Sequence, residues 1–146
     1  MAGDNSALLG MGCTLVACLV DDQTAYICHV GDVRAYLDDG SIIRQLTTDH
    51  SLSASLAGEG TGVGRNIITR CIGFPFSEDP EFHRVELSSG NKVLLCSDGL
   101  WGMINDDQIH WILDSAASPE EACDNLVRQA NDAGGRDNIT ALVLFC

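Results

Sequence analysis

The stretch Val93–Trp101, VLLCSDGLW, decides how the rest of the chain is read. Val93 to Cys96 is an unbroken apolar run of strand length, and it stops at Asp98-Gly99, a pair that turns the chain. A carboxylate set where a buried strand opens into a loop is held by rigid backbone yet can face a cleft. That placement suits a metal ligand, because regular elements fix ligand geometry better than free loops do. On spacing alone the pair can equally well do no more than turn the chain.

A second carboxylate of this kind lies near the end of the sequence. Arg136-Asp137-Asn138 follow Gly134-Gly135 and lead into Ile139–Phe145, ITALVLF, which reads as a last buried strand. If 93–96 and 139–145 are antiparallel neighbours, Asp98 and Asp137 converge at one sheet edge. Carboxylates gathered without basic partners repel strongly. Hard divalent cations relieve that repulsion, since Mg²⁺ and Mn²⁺ take oxygen ligands and keep several waters.

Upstream, MGCTLVACLV (Met11–Val20) carries apolar residues on both parities, as a strand covered on both faces does. Ala25–Val30 returns after a turn at 21–24. Gly31-Asp32 interrupts the run and Val33–Leu37 continues it. Asp38-Asp39-Gly40 is a hairpin signal, and Ser41–Leu46 makes the next strand, so the segment is expected to be an antiparallel meander. Gly31-Asp32 reads first as a bulge that re-aims its strand; a cleft-facing third carboxylate is the other reading. Arg34 reads as a solvated edge charge sooner than as a phosphate ligand.

Between them lies a segment of different texture. His50–Ala57 has the makings of a short helix, and Gly58, Gly60, Gly62 and Gly64 then alternate, a pattern that cannot pack a core and reads as a flap over about 51–65. It is not a phosphate cradle, because no buried strand precedes it and Arg65-Asn66 stand where Lys-Ser/Thr would be needed. Asn66–Gly73 is a short ordered segment, Glu78–Glu81 an acidic loop, and Phe82–Leu87 an alternating strand. His83 reads as a surface residue, His29 and His110 as partnered structural histidines. Two helices follow Trp101: one opened by an Asn105/Gln108 capping box, one by Ser118-Pro119-Glu120-Glu121.

Composition sets bounds on function. The chain has 146 residues, a size for one domain with a real core. Twenty-one acidic residues against eight basic ones give a net charge of −13, which repels nucleic acid and anionic membrane surfaces. No apolar run approaches the ~20 residues of a membrane span, and MAGDNSALLG lacks a signal-peptide pattern, so a cytoplasmic location is expected. Seven cysteines with no C-x-x-C pair, five of them in apolar surroundings, read as reduced thiols and not as disulfides or a zinc knot. Cys96 lacks the glycine-rich loop and arginine of a cysteine-dependent phosphatase and reads as core.

Four stretches in order, MGCTLVACLV, HVGDVRAYLDDGSIIRQLTTDHSL, VLLCSDGLWGMI and GGRDNITALVLF, resemble the C-terminal part of the metal-dependent protein serine/threonine phosphatases of type 2C, in their bacterial variety. The resemblance implies an α+β fold, an α-β-β-α sandwich of two facing antiparallel sheets, here the C-terminal portion (1–146) of one catalytic domain whose N-terminal part is absent. It implies hydrolysis of phosphoserine and phosphothreonine in phosphoprotein substrates by water activated between two Mn²⁺ or Mg²⁺ ions. Asp98 and Asp137 match metal ligands, Asp32 matches the aspartate of a third, weaker metal site that Asp98 shares, and Gly31, Gly99 and Asn138 match supporting positions. The family's other ligands and its phosphate-binding arginine match nothing before Met11. Apolar faces that lose their cover imply self-association or pairing with a separate N-terminal fragment. A catalytically silent, phosphatase-like binding module is the rival reading.

Overall fold

The computed structural model describes residues 10–52, 67–73 and 79–146. Gly58, Gly60, Gly62 and Gly64 of the expected flap lie outside the described residues, as does most of the helix expected over 50–57. Among the described residues, seven strands form two antiparallel sheets: β1 (Leu15–Asp21), β2 (Thr24–Val30), β3 (Arg34–Asp38), β4 (Ile43–Gln45), β5 (Glu81–Glu86), β6 (Lys92–Cys96) and β7 (Ala141–Phe145). One sheet has the order β1-β2-β5, the other β4-β3-β6-β7.

The expected meander is therefore corrected. β1 pairs with β2 and β3 with β4, but β2 and β3 belong to different sheets. The chain changes sheet at Gly31, whose φ of +111° is open to glycine, and a Cβ there would stand 2.3 Å from Thr14 Cγ2. Gly31-Asp32 is a crossing point and not a bulge. His50 clamps it from both sides: its ring Nδ1 accepts from the Gly31 amide at 3.1 Å, and its own amide donates to the Gly31 carbonyl at 2.7 Å.

Two cores follow from this arrangement. Ala25 and Ile27 of the first sheet meet Ala35, Leu37, Val93 and Leu95 of the second. The opposite face of the second sheet, with Tyr36, Leu94 and Cys96, packs against three helices, α1 (Asp98–Trp101), α2 (Asp106–Ser115) and α3 (Pro119–Asp132). Continuous apolar runs at β3 and β6 thus reflect cover on both faces. The capping box at Asn105/Gln108 forms in full, and Ser118 caps α3 through the Glu121 amide. All seven cysteines are unpaired, and burial drives the Cys96 thiol up to about 12.

Among the described residues no helix covers the outer face of the β1-β2-β5 sheet. Leu15, Leu19, Tyr26 and Phe82 lie on that face, with Leu19 67% and Phe82 75% exposed. No helix among the described residues is long and apolar enough to cross a membrane.

Candidate metal centre

Three strand ends meet at one edge of the larger sheet. β3 and β6 are antiparallel, with Arg34 opposite Cys96, and β6 and β7 are antiparallel, with Cys96 opposite Ala141. The start of β3, the end of β6 and the start of β7 therefore share one edge, and it carries Asp32, Asp98 and Asp137.

Close backbone contacts hold this edge. A Cβ on Gly99 would lie 2.3 Å from the Asn138 carbonyl oxygen and 3.3 Å from the Asp137 carbonyl carbon, so glycine lets the two segments touch. Ser97 staples them: its hydroxyl donates to the Asn138 carbonyl at 3.0 Å and accepts from the Thr140 amide at 3.0 Å. Asp98 is not merely a turn residue, since it opens α1 in the first turn, where a negative charge is favoured. Asp137 is exposed and accepts from the Asn138 amide at 2.7 Å.

Asp32 is buried to 7% exposure, and its carboxyl lies above the ordinary range, first because burial penalises the charge and then because Asp98 repels it. Its carbonyl accepts from the Trp101 indole at 3.0 Å, which ties the crossing point to α1. The guanidinium of Arg34 stacks on that indole, 3.6 Å from the ring centroid.

Arg34 is not the solvated edge charge expected from the sequence. It forks onto Asp49 at 2.8 and 2.7 Å and donates to the Tyr36 hydroxyl at 2.8 Å. Burial works against its charge, but these hydrogen bonds outweigh burial and hold the guanidinium more firmly protonated than usual. Arg34 is thereby committed to Asp49, and no ion pair to Asp32, Asp98 or Asp137 occurs among the described residues.

The donor set fits a hard cation: two mutually repelling carboxylates and a third beside them, all oxygen ligands, without a basic partner. Among the described residues, the group that brings three ligand atoms within 4.8 Å of one another is His29, His50 and Glu81, and not Asp32, Asp98 and Asp137.

The histidines depart from expectation in part. His110 does pair with a carboxylate, its Nδ1 2.7 Å from buried Asp38. His29 is fully buried, and among the described residues neither ring nitrogen has a well-formed hydrogen bond. His83 is half-buried beside Glu81, which begins β5 and is not part of an acidic loop.

A two-sheet sandwich with a carboxylate edge of this kind is the architecture of the protein phosphatase 2C family, and the family's profile matches residues 2–140: the chain belongs to that family. Among curated relatives it is 41% identical to protein phosphatase PhpP of Streptococcus pneumoniae over 97% of this chain and 61% of that protein. It is 36% identical to the serine/threonine phosphatase stp of Listeria monocytogenes over 94% of this chain and 58% of that one. The solved structure of serine/threonine phosphatase Stp1 from Staphylococcus aureus superposes with a TM-score of 0.92 at 32% identity, covering 99% of this chain and 60% of that one. The catalytic domain of the serine/threonine protein phosphatase PstP, solved with two manganese ions, superposes with a TM-score of 0.86 at 30% identity over 97% of this chain and 62% of that one. The chain spans about three fifths of the length of these relatives.

Proposed function

We propose that this chain carries part of the metal centre of a protein serine/threonine phosphatase, acting on phosphoserine and phosphothreonine of phosphoprotein substrates. The observation that carries this reading is the strand pairing that sets Asp32, Asp98 and Asp137 at one edge, where burial and the charge of Asp98 raise the Asp32 carboxyl above its ordinary range. Asp98 and Asp137 would hold ions of the main centre, and Asp32 with Asp98 would hold a further, weaker one. Mn²⁺ or Mg²⁺ bound there supplies an activated water and a clamp for phosphoryl oxygens.

The chain's own residues do the positioning. Gly99 and Ser97 fix the separation of Asp98 from Asp137, and Asn138 orients the Asp137 carboxylate through its amide. Trp101, anchored by Arg34, fixes Asp32. A net charge of −13 repels a phosphate dianion, so cations at this edge also reverse the local field. Full activity requires the polypeptide that the longer relatives have in addition. The apolar outer face of the β1-β2-β5 sheet supports self-association, or pairing with a separate fragment; sedimentation at micromolar concentration, with and without such a fragment, distinguishes these from a monomer.

The test is hydrolysis of p-nitrophenyl phosphate with Mn²⁺, comparing this chain with one extended to the length of its relatives. Activity of the extended chain that disappears with Asp98→Asn or Asp137→Asn supports the proposal. An extended chain that is folded but inactive favours the silent binding module instead.

A further inference from the structure

Asp32 sits between β2 and β3, outside either ladder, so its backbone is held by other means. The two peptide carbonyls that flank its Cα are both held from the segment Asp49-His50. The carbonyl of Asp32 itself accepts from the Trp101 indole, on which Arg34 stacks with Asp49 behind it. The carbonyl before it, that of Gly31, accepts from the His50 amide at 2.7 Å. The buried Gly31 amide in turn donates to His50 Nδ1 at 3.1 Å.

That last bond works for only one form of the ring. Nδ1 must be bare to accept, so in the neutral ring the proton sits on Nε2. With the proton on Nδ1, two N–H groups would face each other and the buried Gly31 amide would be stranded. Glu81 selects the working form: its Oε1 lies 3.1 Å from Nε2 and accepts from it. Arg70 Nη1, 3.9 Å from the same oxygen and 3.5 Å from Nε2, favours the charged carboxylate. Burial works against that charge, but hydrogen bonding from His50 and its surroundings outweighs burial and holds the Glu81 carboxyl below the ordinary range. His50 is buried, and the His29 ring packs on it with centroids 4.7 Å apart, which leaves the ring little room to turn.

We propose that His50 and Glu81 are positioning residues for Asp32: Glu81 fixes the ring tautomer, and His50 fixes the Gly31 peptide from which the Asp32 carboxylate is aimed at the cation it shares with Asp98. The inference rests on the metal-centre reading of the carboxylate edge. Neither residue is a metal ligand in this scheme. A carboxylate that orients an imidazole through its far nitrogen is a device that fixes ligand geometry in metal sites. Here it acts one step removed, because the ring holds the ligand's backbone and not the metal. Asp137 is held separately, through the Asn138 amide and the Ser97 staple, so loss of Glu81 is felt at Asp32 and not at Asp137.

The test is long-range ¹H–¹⁵N NMR on the histidine rings of the full chain at neutral pH, joined to a Mg²⁺ titration followed on backbone amides. The His50 ring is expected as the Nε2–H tautomer, moving toward the Nδ1–H form in Glu81→Ala. That variant, shown folded by its amide spectrum, is expected to weaken the Mg²⁺ response at the Asp32 amide about 10-fold and to leave the response at Asn138 unchanged. Glu81→Gln, whose side-chain oxygen still accepts from Nε2, should keep most of the response. His50→Phe, which fills the space without an acceptor, should lose it at Asp32. Asp32 and Asn138 amides that ignore Mg²⁺ in the unaltered chain overturn the metal-centre reading and this inference with it. A response that Glu81→Ala leaves unchanged, or weakens equally at both amides, overturns this inference alone, as does an Nδ1–H ring in the unaltered chain.

Discussion

Replacing Arg34 by methionine separates an edge charge from a structural anchor. A solvated arginine on a strand edge would change stability by no more than about 0.5 kcal/mol when replaced. In this fold the change strands two groups. Asp49, with 13% of its side chain exposed, loses a bidentate partner that is itself 17% exposed. Breaking a fully buried pair costs about 3–5 kcal/mol, and the residual exposure brings this one to roughly 2–3 kcal/mol. The Tyr36 hydroxyl, fully buried, loses its donor at about 1 kcal/mol. Loss of the stack on Trp101 adds about 0.5–1 kcal/mol. Because these contacts share one side chain they do not add fully, and Arg34→Met is expected to lose about 3–4 kcal/mol in urea unfolding. Asp49→Asn in that background should recover part of the loss by removing the stranded charge. A loss below about 1 kcal/mol, or an Asp49→Asn effect of equal size and sign in both backgrounds, would refute this reasoning.

Other outcomes follow from the same contacts. Asp32 has a folded-state carboxyl above the ordinary range, so its contribution to stability is present at low pH and lost as pH rises through that raised value. Asp32→Asn should therefore raise the melting temperature of the metal-free chain at neutral pH, with the gain vanishing in acid; differential scanning calorimetry across pH checks it. Gly99→Ala sets a Cβ against the Asn138 carbonyl and is expected to cost about 1–3 kcal/mol and to weaken Mn²⁺ binding by forcing the Asp98 and Asp137 segments apart, as calorimetric titration would show. Ser118→Ala removes the α3 cap bonded to the Glu121 amide and should cost about 1 kcal/mol in chemical unfolding, without change in metal binding.

Much of the fold is legible in local signals. The continuous apolar run at 93–96 announces a strand covered on both faces, and the caps at Asn105 and Ser118 announce their helices, because these signals are written in a few adjacent residues. The run at 139–145 announces a strand, but β7 lies at the sheet's edge with Leu142 56% exposed and is not the buried strand its apolar residues suggest. The change of sheet at Gly31 is not legible this way. The same glycine-aspartate pair serves a bulge, and what decides is Thr14 pressing on the missing Cβ from elsewhere in the chain. The convergence of Asp98 and Asp137 follows from the strand pairing, whereas the anchors behind them are partners distant in sequence. Arg34 meets Asp49, Trp101 meets the Asp32 carbonyl, and Ser97 meets Asn138. The histidine cluster escapes for the same reason: His29 and Glu81 meet only when β5 pairs with β2, and His50 joins them through its hydrogen bonds to Gly31. Its one sequence trace is the period of two that puts Glu81 and His83 on one face of a strand.

Everything proposed for the carboxylate edge depends on divalent cations binding at the three strand ends. Mn²⁺ titrated into the ¹⁵N-labelled chain broadens amide signals near its binding site, and Asp32, Gly99 and Asn138 are expected to broaden first, with Asp98→Asn abolishing the effect at all three. Broadening that begins elsewhere on the acidic surface and leaves those amides sharp, or that is unchanged by Asp98→Asn, would contradict it.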